Sequence, residues 1–449
     1  MFSVRVFWKT ISFQTEKLPT CRWWLLCSRD CHSASGPCLG ANELKGARNN
    51  QVTKRKRERS SCGPVLDLFD QQYREELGKL WLSARSVLLD PHCWQYGVML
   101  NRFTAVTDVT QILQSQGFSR LLTAPPTPVS HLEYQAGKDS LLSAHCSTTC
   151  RADDSCPQSD SSSHPLPSER LHSLPHHSLQ CYIHPRPLRL PSQVHRPGQL
   201  KQYYLLNAAS LLPVLALQVK DGEKVLDLCS APGGKALAIM QCATPALLCC
   251  NEPDPHRRDW LAKTLESFLP HSLNSTVIVS AQDGRFFGQS EASTFDKVLV
   301  DAPCSNDRSW LYSCSSQQGE QRLKERARLP ALQVQLLQSA LSAVRPGGLV
   351  VYSTCTLSSS ENYAVVERVL KDFPEAIPED LWEEIAVPLS KNFTFTSANP
   401  GHGQTSLEFS LQQQNNVISS YRHRFGILVV PQPGKTWGPM FLSRIRKKK

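Results

Sequence analysis

Two cysteines follow the ends of two apolar runs, and both have polar neighbours. In "VLVDAPCSND" the run ends at Asp301 and Cys304 follows, whereas in "VVYSTCTLSSSEN" the run ends at Thr354, directly before Cys355. A thiolate is a strong nucleophile, and a carboxylate nearby can orient a substrate. One cysteine is weak evidence, because the chain has 17 and free cysteine often packs as a small apolar residue. Two thiols at two strand ends raise the question of a shared site.

The segment from Lys224 onward alternates strand-like and helix-like patterns. Five apolar runs predict strands: "KVLDLC", "LLCCNE", "TVIVSAQD", "DKVLVDA" and "GLVVYSTC". "RRDWLAKTLESFL" and "LPALQVQLLQSALSAV" predict helices between them. Continuous apolar strands that alternate with helices indicate an α/β fold, with a mostly parallel, doubly wound sheet covered on both faces. The C-terminal "FGILVVPQPGKTWGPMFLSRIRKKK" predicts two more strands joined by a Pro/Gly turn.

Ligands of open α/β sheets bind outside the carboxyl ends of the strands, so the residues there are site candidates. The first strand leads into "DLCSAPGGK", which matches neither GxGxxG nor GxxxxGK(S/T) and therefore disfavours an ordinary dinucleotide or triphosphate site. Its Gly233 and Gly234 still allow the backbone to approach a ligand closely. The next strand ends present Glu252, suited to ribose hydroxyls, and Asp283, suited to an adenine amino group. With Asp301, three successive carboxylates indicate a ligand site.

"DLCSAPGGK", "DAPCS" and "STCT" followed by "EN" resemble, in this order, the signature blocks of the Sun-domain family of RNA cytosine-C5 methyltransferases. The resemblance covers roughly residues 190–445 and implies a Rossmann-like class I methyltransferase that uses S-adenosyl-L-methionine. It implies that the cofactor is held by Cys229, Ser230, Ala231, Pro232, Gly233, Gly234, Lys235, Glu252, Asp283 and Asp301. It also implies that Cys355 is the nucleophile and Cys304 the second thiol of the family.

The chemistry of cytosine methylation independently requires such a set of groups. Cytosine C5 is too weakly nucleophilic to take a methyl group directly, but a thiolate that adds to C6 creates a nucleophilic enamine at C5. The site must also hydrogen-bond the ring at N3, for which Asp301 is suited, and take the base out of its stack. DNA cytosine methyltransferases use the cysteine of a Pro-Cys pair, which here would be Cys304. The complete set of blocks favours Cys355.

Three further blocks point to a particular RNA. "CWQYGVMLNRF", "KQYYLLNAASLLPVLAL" and "DAPCSNDRSWL" resemble family members that methylate the wobble cytosine of a mitochondrial transfer RNA. The formal net charge of +10 favours a polyanionic partner. The alternatives are a mitochondrial ribosomal RNA methyltransferase and a non-catalytic RNA-binding assembly factor on the same fold. We expect a monomer without a membrane span, since no apolar run approaches roughly 18 residues.

The N-terminal part predicts targeting and packing rather than chemistry. Residues 1–62 begin with a basic, hydroxyl-rich, acid-poor stretch typical of a presequence, which predicts import into the mitochondrial matrix. A disordered basic tail is the alternative, and "KRKRER" in this region is a nuclear signal, a nucleic-acid patch or simply a solvated run. Residues 63–118 predict a small helical module: apolar residues from Val65 to Val87 keep helical spacing, and "HCWQYGVMLNRF" predicts a further helix.

Residues 119–189 form a Ser-, Pro-, His- and Cys-rich segment that predicts a disordered insertion ahead of a methyltransferase domain at 190–449. Its cysteines and histidines match no zinc-binding spacing, so no metal site is predicted. Both this insertion and the N-terminal extension depart from the compact members of the family. Around the boundary, Arg186, Arg189, Arg196 and Lys201 precede Tyr203 and Tyr204, a combination that suits a nucleic-acid approach surface or a solvated linker.

Overall fold

A mixed nine-stranded sheet organises the computed structural model, which describes residues 61–122, 179–312, 316–397 and 425–449. The strands of this described part are β1 Gly97–Leu100, β2 Ser119–Arg120, β3 Cys181–Ile183, β4 Tyr203–Leu206, β5 Lys224–Asp227, β6 Leu247–Asn251, β7 Val277–Ser280, β8 Phe295–Asp301, β9 Val344–Thr354, β10 Ala376–Glu379, β11 Phe395–Ser397, β12 Ile427–Val429 and β13 Met440–Lys447. Its α-helices are α1 Gly63–Leu77, α2 Lys79–Leu89, α3 Thr107–Ser115, α4 Leu212–Leu217, α5 Gly234–Cys242, α6 Pro255–Phe268, α7 Phe287–Ser290, α8 Asp307–Trp310, α9 Ser316–Arg326, α10 Leu329–Ala343, α11 Tyr363–Asp372 and α12 Val387–Leu389.

The five strands predicted from the apolar runs are parallel neighbours in the order β7-β6-β5-β8-β9. After β7 the chain returns to the other side of β5, so the strand order reverses between β5 and β8. Such a reversal is the point at which open α/β sheets bind ligands. The predicted C-terminal pair, β12 and β13, is antiparallel, and β13 extends the sheet beside β9. The predicted Rossmann-like fold is confirmed.

Both faces of the parallel strands are buried, which explains their continuous apolar runs. Along β8, Val298 and Val300 pack into one hydrophobic cluster with α1, α2 and α10, whereas Leu299 packs into the other cluster with α4, α5 and α6. Adjacent strand residues point to opposite faces, so each face needs its own layer of helices. The N-terminal helices therefore supply part of one layer over the catalytic sheet.

The prediction for the N-terminal module is correct for its first helices and wrong for its last. Helices α1 and α2 form the first part of the predicted 63–118 module, with Phe69, Tyr73 and Trp81 fully buried. "HCWQYGVMLNRF", however, contains strand β1, which pairs antiparallel with both β3 and β4. Its short apolar run fits the helix period and the strand period equally well. The secondary structure is therefore decided by the strand partners, which come from distant parts of the chain. Helix α3 packs against this four-stranded sheet.

The two ends of the predicted 119–189 insertion are folded, because β2 and β3 pair with each other there. The chain can order these ends since β3 is held on its other side by β1. Residues 123–178 lie outside the described residues, as do the predicted presequence and "KRKRER". Within the described ranges, no helix is long and apolar enough to cross a membrane.

Candidate active site

The parallel pairing of β8 and β9 brings the two cysteines together. Asp301 lies opposite Ser353 in the register, and the backbone N–H of Ala302 donates to the Ser353 carbonyl at 2.9 Å. Beyond this last ladder bond, the Sγ atoms of Cys304 and Cys355 are 3.2 Å apart. The backbone N–H of Cys355 also donates to the Sγ of Cys304 at 3.3 Å. Both residues are free, partly buried thiols, so the predicted pair shares one site.

The surroundings of the Cys304 thiol favour its protonated form. The hydrogen bond to Cys355 raises the pKa of the Cys304 thiol well above its ordinary value, and burial and the Glu361 carboxylate raise it further. A thiol with a raised pKa stays protonated at neutral pH and is a poor nucleophile. In that state Cys304 can donate a hydrogen bond to the sulfur of Cys355.

Lys235 and Asp301 form an ion pair at the switch point of the sheet. The Lys235 Nζ lies 2.8 Å from the Asp301 Oδ2, and the Ser353 hydroxyl donates to the Asp301 Oδ1 at 3.0 Å. Burial lowers the pKa of Lys235, but the Asp301 carboxylate outweighs it, and the net shift is upward. The Lys235 ammonium therefore stays charged at neutral pH. The pair joins the "APGGK" loop to the strand end that leads to Cys304.

The loop after β5 turns sharply at Gly233 and enters α5. Gly233 has a φ of +105°, and a Cβ there would lie 3.1 Å from the Leu261 Cδ1. A Cβ on Gly234 would lie 3.1 Å from the Tyr204 Cε1, so the Tyr204 ring packs directly on this turn. Only glycine adopts this conformation at little cost and leaves the backbone open to a ligand at the helix N-terminus. The position of Tyr204 makes it part of the loop's packing, and it also contacts Phe268.

Two buried acceptor atoms beside this loop have no hydrogen-bond partner in the structure. The Ser230 hydroxyl turns inward and donates to the Asp227 Oδ2 at 2.8 Å, while the Asp227 Oδ1 is unpartnered. The Asn251 Oδ1 is also unpartnered, although the Asn251 amide donates to the Leu228 carbonyl at 3.1 Å. Burial raises the pKa of Asp227 to about 7. Buried acceptors without partners mark a place where a polar group is expected.

The carboxylates predicted at the next two strand ends are present, and they have different hydrogen-bond and ion-pair partners. Glu252 is buried, accepts from the Asp254 N–H at 3.0 Å and lies 3.4 Å from the Arg257 guanidinium. Burial raises the pKa of Glu252, and Arg257 opposes the rise. Asp283 is about two-fifths exposed, and both of its oxygens accept from the Arg285 side chain. Asp283 must therefore share its lone pairs between Arg285 and any adenine amino group.

Two buried carboxylates beside the thiols were not singled out from the sequence. The Glu361 carboxylate accepts from the Ser305 N–H at 2.9 Å and from the Ser305 hydroxyl at 2.6 Å. The Asp307 carboxylate accepts from the Thr356 hydroxyl at 2.9 Å and from the Leu357 N–H at 2.7 Å. Burial raises the pKa of Asp307 to about 7. Asp307 lies in the quoted segment "VLVDAPCSND", and Glu361 lies in the quoted pair "EN". Their closeness to the apolar runs is the sequence signal that could have identified them.

Part of the cationic and aromatic group that was predicted to face RNA makes packing contacts within the protein. Tyr203 is half-buried and donates its hydroxyl to the Pro191 carbonyl at 2.5 Å, and Lys201 lies over the Phe268 ring. Arg186, Arg189 and Arg196, by contrast, are exposed. Tyr203 and Lys201 therefore take part in packing, and so does Arg189, whose guanidinium lies 4.7 Å from the centroid of the Tyr96 ring although the residue is exposed. Among the described residues no cluster of three metal-ligating side chains is present.

The chain is similar to known RNA methyltransferases over most of its length. Residues 214–405 match the family model described as 16S rRNA methyltransferase RsmB/F. The mitochondrial tRNA (cytosine(34)-C(5))-methyltransferase of Danio rerio is 46% identical over 92% of this chain and 95% of its own length. The 5-cytosine rRNA methyltransferase NSUN4 of Xenopus tropicalis is 37% identical over 85% of this chain and 89% of its own. The solved structure of NSun6 from Pyrococcus horikoshii with SFG superposes with a TM-score of 0.51 at 17% identity, covering 84% of this chain and 97% of that one.

Proposed function

The chain belongs to the RsmB/F family of RNA cytosine-C5 methyltransferases, and we propose that its substrate is the wobble cytosine of a mitochondrial transfer RNA. The enzyme uses S-adenosyl-L-methionine, as the family does. The substrate proposal rests on the relative named for cytosine 34 of a transfer RNA, whose length this chain covers almost completely. The two thiols 3.2 Å apart beside the Asp301–Lys235 pair carry the proposed chemistry.

The residues around the switch point fit the cofactor. Its ammonium and hydroxyl groups need acceptors, and the unpartnered Asp227 Oδ1 and the buried Glu252 carboxylate offer them. The N–H groups at the start of α5, from Gly234 onward, suit its carboxylate, whereas the Gly233 N–H donates to the Ser230 carbonyl at 2.8 Å and shapes the turn. The rest of the loop, Cys229 to Lys235, with Asp283 and Asp301, would complete the binding set. When bound, S-adenosyl-L-methionine supplies an electrophilic methyl group.

In the proposed mechanism, this chain's residues activate the base and then release it. The Cys355 thiolate adds to C6 of the flipped cytosine, which makes C5 nucleophilic. Asp301, oriented by Lys235 and Ser353, accepts a hydrogen bond from N3 of the ring, which takes up a proton from water as the thiolate adds and returns it when the ring is restored. After methylation, loss of the C5 proton and elimination of the Cys355 sulfur restore the aromatic ring. Cys304, a protonated thiol, donates to that sulfur as it leaves.

The test is methylation of RNA in cells and in vitro. Bisulfite sequencing of RNA from cells that lack the protein should show one unmethylated cytosine, at the wobble position of a mitochondrial transfer RNA. The purified protein should then transfer a labelled methyl group to that RNA and not to a transcript in which this cytosine is replaced by uridine. Unchanged methylation of every mitochondrial transfer RNA would reject the proposed substrate.

A mitochondrial ribosomal RNA is the second candidate substrate, because the NSUN4 relative is similar over most of both chains. Methyl transfer to purified ribosomal RNA, without transfer to any transfer RNA, would favour it. A non-catalytic assembly factor would bind the cofactor and transfer nothing. The intact Cys355, Cys304 and Asp301 argue against that function.

A cationic stretch of the chain supports an RNA approach surface. Residues 179–220 contain no acidic residue, and within them Arg186, Arg189 and Arg196 are exposed. Val194 is 81% exposed between them. Exposed arginines in an acid-free stretch attract a phosphate backbone and position it without reading its sequence. We define this group of three arginines as the arginine surface.

Import into mitochondria fits the substrate, since the Danio rerio relative is named mitochondrial. A fluorescent reporter fused to residues 1–40 should enter mitochondria, and a reporter for the matrix side should locate it there. A nuclear or diffuse signal would reject the presequence. A monomeric state stays a prediction from the sequence.

A further inference from the structure

A closed ring of buried polar side chains lies directly beneath the two thiols. We call the six residues the buried polar ring, and they are Tyr73, Ser305, Asp307, Arg326, Thr356 and Glu361. Five of them are completely buried, and Arg326 is 7% exposed. The ring draws on the N-terminal helix α1, the loops after β8 and β9, and helix α9. None of its members takes part in the mechanism proposed above.

The contacts of the ring run continuously from one member to the next. The Glu361 carboxylate accepts from the Ser305 hydroxyl at 2.6 Å, and that hydroxyl lies 3.0 Å from the Thr356 hydroxyl. The Thr356 and Tyr73 hydroxyls donate to the same Asp307 oxygen, at 2.9 and 3.0 Å. The Arg326 guanidinium donates to the Tyr73 hydroxyl at 3.0 Å and lies 3.5 Å from the Glu361 carboxylate. The ring is thereby closed.

The ring contains the residue that directly follows each thiol. Ser305 directly follows Cys304, and Thr356 directly follows Cys355, and the hydrogen bond from the Thr356 hydroxyl to Asp307 at 2.9 Å ties the two segments together. On the other side of Cys304, the Gln333 amide donates to the Pro303 carbonyl at 2.8 Å and to Glu361 at 3.0 Å. Apart from the Arg326 Nη1 and the Gln333 Oε1, the buried polar atoms of these side chains have hydrogen-bond partners. Such a network restricts motion, because displacement of a bonded group leaves it buried without a partner.

We propose that the buried polar ring holds the two sulfurs at their working separation, and that Thr356 is a positioning residue for release of the methylated base. The proposal rests on the covalent mechanism proposed above. In release, the C5–H bond breaks and its proton passes to water, and its electron pair forms the C5–C6 double bond as the C6–S bond breaks. The electron pair of the C6–S bond returns to the Cys355 sulfur, which accepts a hydrogen bond from the Cys304 S–H. A longer separation of the sulfurs weakens that hydrogen bond and slows release.

The test compares Thr356→Val, which keeps the volume but removes the hydroxyl, with Thr356→Ser, which keeps the hydroxyl. During methyl transfer to RNA, Thr356→Val should accumulate a protein–RNA adduct that resists denaturant, with release at least about tenfold slower than in the wild type. Thr356→Ser should behave like the wild type. If the ring only stabilises the fold, Thr356→Val lowers the amount of active protein and leaves the covalent fraction of bound RNA unchanged, which overturns the proposal.

Tyr73→Phe provides a second variant in case Thr356→Val does not fold. It removes the hydroxyl that links Asp307 to Arg326 on the far side of the ring, and it should raise the adduct fraction by less than Thr356→Val does. Tyr182→Phe is the matched control, because the Tyr182 hydroxyl is buried in the small sheet and bonds only to Arg120 among the contacts described. An equal adduct fraction in Tyr73→Phe and Tyr182→Phe contradicts the proposal.

Cys304→Ala, assayed in parallel, separates failure of the ring proposal from failure of the mechanism. Trapping by Cys304→Ala without trapping by Thr356→Val or Tyr73→Phe overturns the role of the ring alone. Trapping by none of the three overturns the assignment of Cys304 to release, and with it the ring's role.

Discussion

The Lys235 ammonium lies 2.8 Å from the Asp301 carboxylate, although 66 positions separate the two residues in the chain. Lys235 lies in the first turn of α5, which follows β5, and Asp301 ends β8, and these two strands are neighbours across the switch point of the sheet. Ser353 on β9 holds the other carboxylate oxygen. The carboxylate that is proposed to meet the cytosine ring is therefore oriented from two sides before any substrate arrives.

Loss of the Lys235 charge should impair catalysis more than folding. Lys235→Met is expected to reduce kcat for methyl transfer by about 10²- to 10⁴-fold, because Asp301 loses its orienting partner and an unpaired carboxylate remains in the site. Lys235→Arg should recover part of the rate. Steady-state kinetics with saturating RNA measures the effect, and calorimetry of cofactor binding separates it from loss of affinity. Lys263→Met, at an exposed ion pair on α6, is the control, and equal rates in the two Met variants would contradict the role.

Removal of each thiol should block a different step of the reaction. Cys355→Ala should leave the RNA unmethylated and bound without a covalent bond, with cofactor binding nearly intact. Cys304→Ala should methylate C5 and then accumulate a covalent adduct, visible as a retarded band that resists denaturant and disappears after nuclease digestion. The double variant should show no band. An adduct in Cys355→Ala but not in Cys304→Ala would reverse the roles and indicate the arrangement of the DNA enzymes.

Gly233→Ala should destabilise the protein and weaken cofactor binding together. An alanine at a φ of +105° is strained, and its Cβ would press on Leu261 and Thr264. The expected loss is about 1–3 kcal/mol in the free energy of unfolding. Gly63→Ala at the start of α1 is the control, since no heavy atom lies within 4 Å of the added Cβ. Denaturant unfolding and cofactor titration of both variants measure the two effects, and equal unfolding free energies would contradict the prediction.

The buried Asp227 should make the protein less stable as the pH rises towards neutrality. Its pKa is about 7 in the folded chain against 3.8 ordinarily, so between these values the folded state holds a proton that the unfolded state has lost. Stability contributed by this proton is therefore lost as the pH rises, and the loss is complete above the folded pKa. Asp227→Asn removes the effect, so its Tm relative to the wild type should increase from about pH 5 to about pH 8. A difference in Tm between Asp227→Asn and the wild type that stays constant with pH would contradict the prediction.

The arginine surface should contribute salt-dependent RNA affinity without touching the chemistry. Arg186→Ala/Arg196→Ala is expected to weaken RNA binding about tenfold at moderate salt and to reduce the slope of log K against log salt by about 1–2. The rate of methyl transfer at saturating RNA should stay unchanged. Arg368→Ala/Lys371→Ala, which removes two exposed cations of α11, is the matched control. Identical salt slopes in the two double variants would show that the surface does not meet RNA.

The predicted elements and the predicted site differ in how far local pattern could define them. The strands β5 to β9 were predictable because each is a continuous apolar run, and burial on both faces requires that pattern. β1 was assigned wrongly to a helix, since "GVML" alone fits both periods and its strand partners begin at Cys181 and Tyr203. Cys304 and Cys355 were predictable as a pair because each lies at the end of a predicted strand or close after it and matches a known block.

The amino-acid sequence by itself determined the parallel α/β fold, the family and the residue types available at each strand end. Only the tertiary structure decided which ends meet. β5 pairs with β8, although β6 and β7 come between them in the sequence. This pairing brings Lys235 to Asp301. It also decided that Tyr73, from the first helix, closes a ring beneath thiols more than 200 residues away. Such contacts depend on packing between segments that are far apart in the sequence. Burial then leaves each polar group only one set of hydrogen-bond partners, and no local sequence pattern encodes which partners these are.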